Sequence, residues 1–384
     1  MDIRALLLIN TTYSSGNDRI GLAGPPLALL DVAGKSALER IVGQLEQSGI
    51  SQITSVIETN PFYRPSSVPK QIDCKVVAPE LFWRSSESAF HGLAQNGADL
   101  VLAIRLGPYV EIDLEHLVQF HLDRSDRITR VAHNIYAPEV FCISASRRDD
   151  AASLFRSGLS KCRIECSKFL HAGYVNPLGD VRDLRQFAVD VLTLKTETKP
   201  VGRQARPGVW IAPGAVIESG SRILAPAYVG SSARISAGAL LTRCTAIEHH
   251  AHVDCGTVVE NSTVLPHSYV GAGLDVAHSV VGMGQVANLR RSTTVEVADG
   301  KLIGHVASGA GRRLITAAAD ALSSLGRELF GARSRQPQPI SEAGGHVLAS
   351  ASGPSVGGPE PAPESSLATE FPSSLAVARR YGDD

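Results

Sequence analysis

The sequence predicts an α/β domain, then a hexapeptide-repeat β-helix, a short helix and a disordered tail. Three observations carry that prediction. Over the first 200 residues, buried-strand runs alternate with amphipathic-helix patterns, as in a mainly parallel α/β sheet. Every sixth residue from Ile211, through Ile217, Ile223, Val229, Ile235, Leu241, Ile247, Val253, Val259 and Leu265, is a branched aliphatic. From Ala332 onward Pro, Ser, Gly and Ala dominate and large apolar residues are few.

The N-terminal domain is read over residues 1–200. Ile3–Ile9 has the profile of a buried strand and is followed by a polar loop from Asn10 to Gly24. Ser36 is placed to cap a helix and Glu39 to reach back to it. Leu38, Ile41, Val42 and Leu45 form that helix's buried stripe, and Gly49 ends it. Strand patterns at Ile53–Ile57 and Leu100–Ile104 alternate with helical patterns near Ser86–Gln95 and Asp113–His121. A second mixed portion runs from Ile128 to Leu194, and Lys199 to Pro207 reads as a linker.

A period of six fits neither an amphipathic helix nor an alternating strand, and it is the mark of a β-helix over 207–305. Mostly small residues sit two places before each aliphatic: Val209, Ala215, Ser221, Ala227, Ala233, Ala239, Thr245, Ala251, Thr257 and Thr263. Each six-residue side thus sends one aliphatic and one small residue to a stacked interior. The pattern resembles the left-handed hexapeptide proteins, which implies three-sided coils of about eighteen residues. A β-sandwich with coincidental spacing is the alternative. Beyond Leu265 the register breaks, and Val295–Ile303, with Asp299-Gly300 at its centre, reads as a hairpin. Ile315, Ala318, Ala319, Leu322, Leu325 and Leu329 place an amphipathic helix over 311–331, expected to cap the solenoid; a membrane-surface or partner-binding helix is the other reading.

Composition excludes some functions. A net charge of −1 argues against a nucleic-acid binder. Ala5–Ile9 is too short for a signal-peptide core or a membrane span, so the sequence predicts a cytoplasmic protein with no transmembrane segment. The six cysteines form no disulfide framework, and no second Cys or His pair follows Cys162 and Cys166 at zinc-ligand spacing, so no metal site is expected.

An α/β domain joined to a hexapeptide β-helix, with Pro26-Leu27-Ala28-Leu29-Leu30-Asp31-Val32-Ala33-Gly34-Lys35 before a capped helix, resembles the sugar-1-phosphate nucleotidyltransferases, or nucleotide-sugar pyrophosphorylases. Glu111-Ile112-Asp113-Leu114 looks like that family's middle region. Gly173 to Asp180, followed by Asp183-Leu184, looks like its late active-site turn, and Leu265 to Gly271 like its Tyr-Val-Gly stretch. The resemblance covers residues 1–305 and implies a Rossmann-like nucleotidyltransferase domain.

It also implies a site that this chain has largely lost. The family's phosphate cradle is a glycine-rich loop with a following Arg, whose backbone N–H groups reach phosphate oxygens. The matching stretch is Asn10-Thr11-Thr12-Tyr13-Ser14-Ser15-Gly16-Asn17-Asp18-Arg19, with one glycine. Where the family carries a Pro-Lys-Pro lysine, this chain has Pro26-Leu27-Ala28, leaving Lys35 or Arg19 as substitutes or as plain surface charges. The two Asp that hold Mg²⁺ in the family fall at Gly107 or a near neighbour and at Pro177, with Asp180 three residues on.

The leading expectation is therefore a degenerate pyrophosphorylase of nucleotide-sugar or surface-polysaccharide metabolism that acts as regulator or scaffold. Its vestigial ligand residues would be Asn10, Thr11, Gly16, Arg19, Lys35, Gly107, Gly179 and Asp180. The possible ligand is a nucleotide sugar, and the partner another copy of the chain or an active relative. No cofactor is expected, with Mg²⁺ needed only if the site is active. One rival is an active nucleotidyltransferase drawing on Asp18, Arg19, Lys35, Asp180 and Asp183. Another is a hexapeptide acyltransferase with His250 as base, within Glu248-His249-His250-Ala251-His252 and near His267. Those histidines flank Ile247 and Val253 at outward positions, where solvated side chains are expected. A third is a purely architectural, self-associating solenoid.

Overall fold

The computed structural model describes residues 1–10, 22, 26–58, 72–124, 126–136, 138–145 and 166–306. The helix expected at 311–331 and the tail expected at 332–384 lie outside the described residues. Among those described, no helix is long and apolar enough to cross a membrane.

The N-terminal part is an α/β sheet domain. Its elements are β1 (Ile3–Ile9), β2 (Asp31–Val32), β3 (Lys35–Ser36), α1 (Ala37–Gln47), β4 (Ile53–Glu58), β5 (Asp73–Val77), α2 (Phe82–Gln95), β6 (Leu100–Arg105), β7 (Tyr109–Val110) and α3 (Leu114–Leu122). There follow β8 (Ile128–Ala132), β9 (Glu139–Ser144), β10 (Ser167–Leu170), β11 (Val175–Asn176) and α4 (Val181–Leu192). Seven strands form one sheet in the order β10-β8-β9-β6-β1-β4-β5. β1 runs parallel to both β4 and β6, and β9 alone runs antiparallel to its neighbours β6 and β8.

The strand pattern explains the layering. Alternate residues of β1 go to opposite faces: Ala5, Leu7 and Ile9 join the core under α1 and α4, whereas Leu6 and Leu8 join Phe82, Ala89, Phe90 and Leu93 of α2. α1 begins at the expected capping box, with the Ser36 hydroxyl accepting from the Glu39 N–H and the Glu39 carboxylate accepting from the Ser36 N–H. Leu38, Ile41, Val42 and Leu45 are buried as one stripe.

The C-terminal part is a set of short strands in three parallel ladders, an arrangement compatible with a β-helix. Val209–Ile211 pairs with Ala227–Val229, which pairs with Thr245–Ile247, while Val216–Ile217 and Arg222–Ile223 begin the other two ladders. Partners in these coils lie eighteen residues apart, as Val229 and Ile247 do. The interior holds the predicted aliphatics from Ile223 to Val259 together with Ala227, Ala233, Ala239 and Ala251, with Ile211 partly buried against them, whereas Ile217 is exposed. Buried Thr245 and Thr257 fit the small-residue column because their hydroxyls donate to the carbonyls of Val259 and Gly271.

Three readings need correction. The register breaks before Leu265: Ile247 pairs with Val264, seventeen residues on, and Val264, Val270, Val276 and Val281 continue the interior column. One residue fewer between Val259 and Val264 turns Leu265 outward, into the core shared with the α/β domain. Second, Val295–Ile303 is no hairpin. Thr293–Glu296 pairs with Gln285–Asn288, and Ile303–His305 pairs with Ser268–Val270, so its two arms extend different sheets. Third, within the stretch read as a linker, Arg203–Arg206 forms an exposed strand antiparallel to Val209–Ile211 and extends that ladder by one edge.

Candidate functional site

In open α/β sheets, ligands bind beyond the carboxyl ends of the strands. At that edge Asn10 follows β1 and is buried, and its side-chain oxygen accepts from Arg105 Nε at 3.0 Å. Arg105 also bridges Glu139 at 2.9 Å and lies over the Trp83 ring. Gly107 is buried in the turn between β6 and β7. β7 pairs antiparallel with β11, matching Asn176 to Tyr109, which brings the Pro177–Gly179 turn alongside this chain segment. Thr11, Gly16 and Arg19, with Asp18, lie outside the described residues.

Asp180 is occupied by local structure. Its side chain caps α4, with Oδ1 accepting from the N–H groups of Arg182 at 2.9 Å and Asp183 at 3.1 Å, and Oδ2 lies 3.5 Å from the Arg182 guanidinium. The Asp183 carboxylate accepts from the Gly179 N–H at 2.8 Å. Gly107 and Pro108 bring no side-chain oxygen to the other side. These residues do not fit a Mg²⁺ site, which relies on carboxylates free to face the ion.

Lys35 lies elsewhere. It is exposed and lines an open cavity of about 580 Å³ between α1 and the segment 197–201, with Glu39, Glu111 and Lys199 among the other lining residues. Two buried groups at this cavity hold structure. Glu111 accepts from the N–H groups of Glu197 at 2.8 Å and Thr198 at 3.0 Å. Arg40 donates to the Val32 carbonyl at 2.5 Å and to the Thr198 hydroxyl at 2.7 Å, and burial pulls its pKa down.

The richest polar cluster joins the β2–β3 hairpin to the C-terminal strand ladders. Asp31 to Ser36 form a two-residue hairpin whose turn residues, Ala33 and Gly34, both have positive φ, 51° and 93°. Their N–H groups point the same way, and both are accepted by Glu248, at 2.7 Å and 3.0 Å. Glu248 is fully buried, and desolvation first, then the Asp31 charge, pushes its pKa up to about 8, while the two N–H donors pull it down. Its position is equivalent to Ala212, Gly230 and Leu265 on neighbouring coils, a column facing the α/β domain and buried throughout.

The histidines extend this cluster. His249 Nδ1 lies 3.0 Å from Asp31 Oδ2, and that hydrogen bond raises the His249 pKa. His250 is exposed and stacks on His267, with ring centroids 4.9 Å apart and planes 19° apart. His249 meets both rings edge-on, at 5.3 Å and 5.0 Å. Burial, and then the neighbouring imidazoles, lowers the pKa of His250 and of His267.

Sequence reasoning missed Glu248 and Arg185 as inter-lobe anchors, and Arg40 and Glu111 as anchors of the segment 197–198 within the α/β domain. A signal for Glu248 existed: at the eighteen-residue period a carboxylate stands in a column otherwise filled by Ala212, Gly230 and Pro266. No known family model matches the chain, and no curated protein matches it.

Proposed function

We propose that this chain is a nucleotidyltransferase-like protein, a Rossmann-like α/β domain joined to a left-handed parallel β-helix, that has given up pyrophosphorylase catalysis. It acts as a regulator or scaffold in nucleotide-sugar or surface-polysaccharide metabolism, with another copy of itself or an active relative as partner. A nucleotide sugar is its ligand.

The observation that supports this reading best is the state of Asp180. In-line attack of a sugar phosphate on a nucleoside triphosphate concentrates negative charge, which a metal held by free carboxylates must offset. Asp180 spends its oxygens on two backbone N–H groups and an arginine. Across the edge, Arg105 is held by Asn10 and Glu139. A cation so paired gives little net charge to a phosphate.

The scaffold half rests on the rigidity of the junction. Glu248 and Arg185 each tie one lobe to the other. Such fixed lobes suit a protein that presents surfaces rather than one that opens and closes over a substrate. The test is pyrophosphate release from nucleoside triphosphates and sugar 1-phosphates with Mg²⁺. Calorimetry with nucleotide sugars is the companion measurement: binding without turnover supports a ligand-sensing regulator, and neither leaves the scaffold.

A further inference from the structure

We propose that His249, His250 and His267 form a binding site for a divalent transition-metal ion of the zinc type. Each contributes one ring nitrogen, and the three nitrogens lie within 4.8 Å of one another.

The solenoid repeat builds this cluster. His250 and His267 occupy the same corner of successive coils, with φ of 56° and 57°, and Ser232 takes that corner one coil earlier with φ 55°. The backbone there is locked, since the His250 N–H donates to the Ser231 carbonyl and the His267 N–H to the His249 carbonyl. The shortened coil between Val259 and Val264 matters here. At an eighteen-residue spacing His249 would stack under His267; at seventeen, His250 does, and His249 is left to complete a triangle of rings.

Asp31 adds an independent observation that itself points to a ligand. Metal-binding imidazoles commonly give their other ring nitrogen to a carboxylate, which fixes the tautomer and the ring plane. His249 has this arrangement: Nδ1 meets Asp31 Oδ2 at 3.0 Å, leaving Nε2 as the lone-pair nitrogen. The pairing comes from residues 218 apart, so it belongs to the inter-lobe junction and not to local chain geometry.

The donor set decides the metal. Three imidazoles suit zinc, copper or nickel rather than Mg²⁺ or Ca²⁺, which prefer oxygen. Zinc–nitrogen bonds of about 2.0 Å in a tetrahedron place ligand nitrogens about 3.3 Å apart. Closing from 4.8 Å takes small ring rotations about broad χ2 wells. Three protein ligands leave a fourth position, and the exposure of His250 opens it to solvent. Neutral imidazoles leave the ion's charge uncancelled, so that position would take water or an anionic oxygen such as phosphate or carboxylate.

The experiment uses the full chain, stripped with chelator, exposed to Zn²⁺ and passed through gel filtration before metal analysis. One Zn²⁺ per chain is expected. The Co²⁺ form should show the visible bands of a tetrahedral nitrogen and oxygen site without thiolate charge transfer, which separates this site from the exposed Cys255. His250→Ala and His267→Ala should each weaken binding at least 100-fold. Asp31→Asn, acting through His249, should weaken it about 10–100-fold. His252→Ala, whose ring instead meets the Ser236 hydroxyl at 3.1 Å, should leave it unchanged. His250→Gln, at an exposed position, supplies a folded variant if Ala does not. Less than stoichiometric uptake, a thiolate spectrum, or full retention in the His250 and His267 variants would overturn the site.

Discussion

Glu248 and Ala33, 215 residues apart in sequence, are joined by a 2.7 Å hydrogen bond from the Ala33 N–H to a fully buried carboxylate, and the same carboxylate holds Gly34 at 3.0 Å. A hairpin turn with two converging N–H groups is a small anion receptor. Here a buried side-chain carboxyl of the same protein fills it. Glu248→Ala leaves both donors buried and unpaired, and should destabilise the fold by about 2–5 kcal/mol in urea titrations. Glu248→Gln keeps one acceptor and should cost about half as much. A variant as stable as the parent would mean that the junction does not depend on this carboxylate.

Gly34 is bound to the same turn. Its φ of 93° disfavours any side chain, and an added Cβ would overlap the Tyr228 hydroxyl and come within 2.8 Å of the Val201 Cβ. Gly34→Ala should lower stability by about 1–3 kcal/mol from the backbone alone, with a further loss from the clash. Thermal unfolding of this variant beside Gly43→Ala, where a Cβ meets nothing within 4 Å, measures the difference.

Arg185 anchors α4 to the C-terminal strand ladders. It is buried and donates to the Cys244 carbonyl at 2.6 Å, to Asn261 Oδ1 at 2.8 Å and to the Asn261 carbonyl at 3.2 Å. Burial lowers its pKa to about 10, so it stays charged at neutral pH. Arg185→Met fills the space but strands three acceptors, and should cost about 3 kcal/mol. Limited proteolysis between the lobes should accelerate in step.

His121 gives a pH dependence with a definite sign. Its ring is buried between the Thr129 hydroxyl at 2.8 Å and the Ser144 hydroxyl at 2.9 Å, and desolvation lowers its pKa against a smaller opposite pull from Asp126. The unfolded chain, titrating near 6.5, binds that proton more readily than the folded one. This contribution is complete above about pH 6.5 and is lost as pH falls below it. Urea midpoints at pH 7.5 and 5.5 should differ less in His121→Gln than in the parent; an equal difference would contradict the assignment.

How much of this was legible depends on the range of the forces. Capping of α1 is local chemistry of Ser36 and Glu39, and the sequence predicts it to the residue. The interior column from Ile223 to Val259 follows from period alone, although the same period also places the exposed Ile217 in it. The seventeen-residue coil does not, because Val264 and Leu265 are both aliphatic and either satisfies the pattern; pairing of Val264 with Ile247 decides between them. The roles of Glu248 and the histidines depend on which outward column another lobe covers. That is a long-range fact, hinted at only by a lone carboxylate among Ala212, Gly230 and Pro266.

The most direct test of the central claim is pyrophosphate release by the purified full chain, given mixed sugar 1-phosphates, the common nucleoside triphosphates and Mg²⁺, beside an active pyrophosphorylase. With Asp180 committed to capping α4, release should be no faster than in Asp180→Asn, which keeps the cap and loses the charge. Turnover comparable to the control, abolished by Asp180→Asn, would contradict it and make Asp180 a working metal ligand.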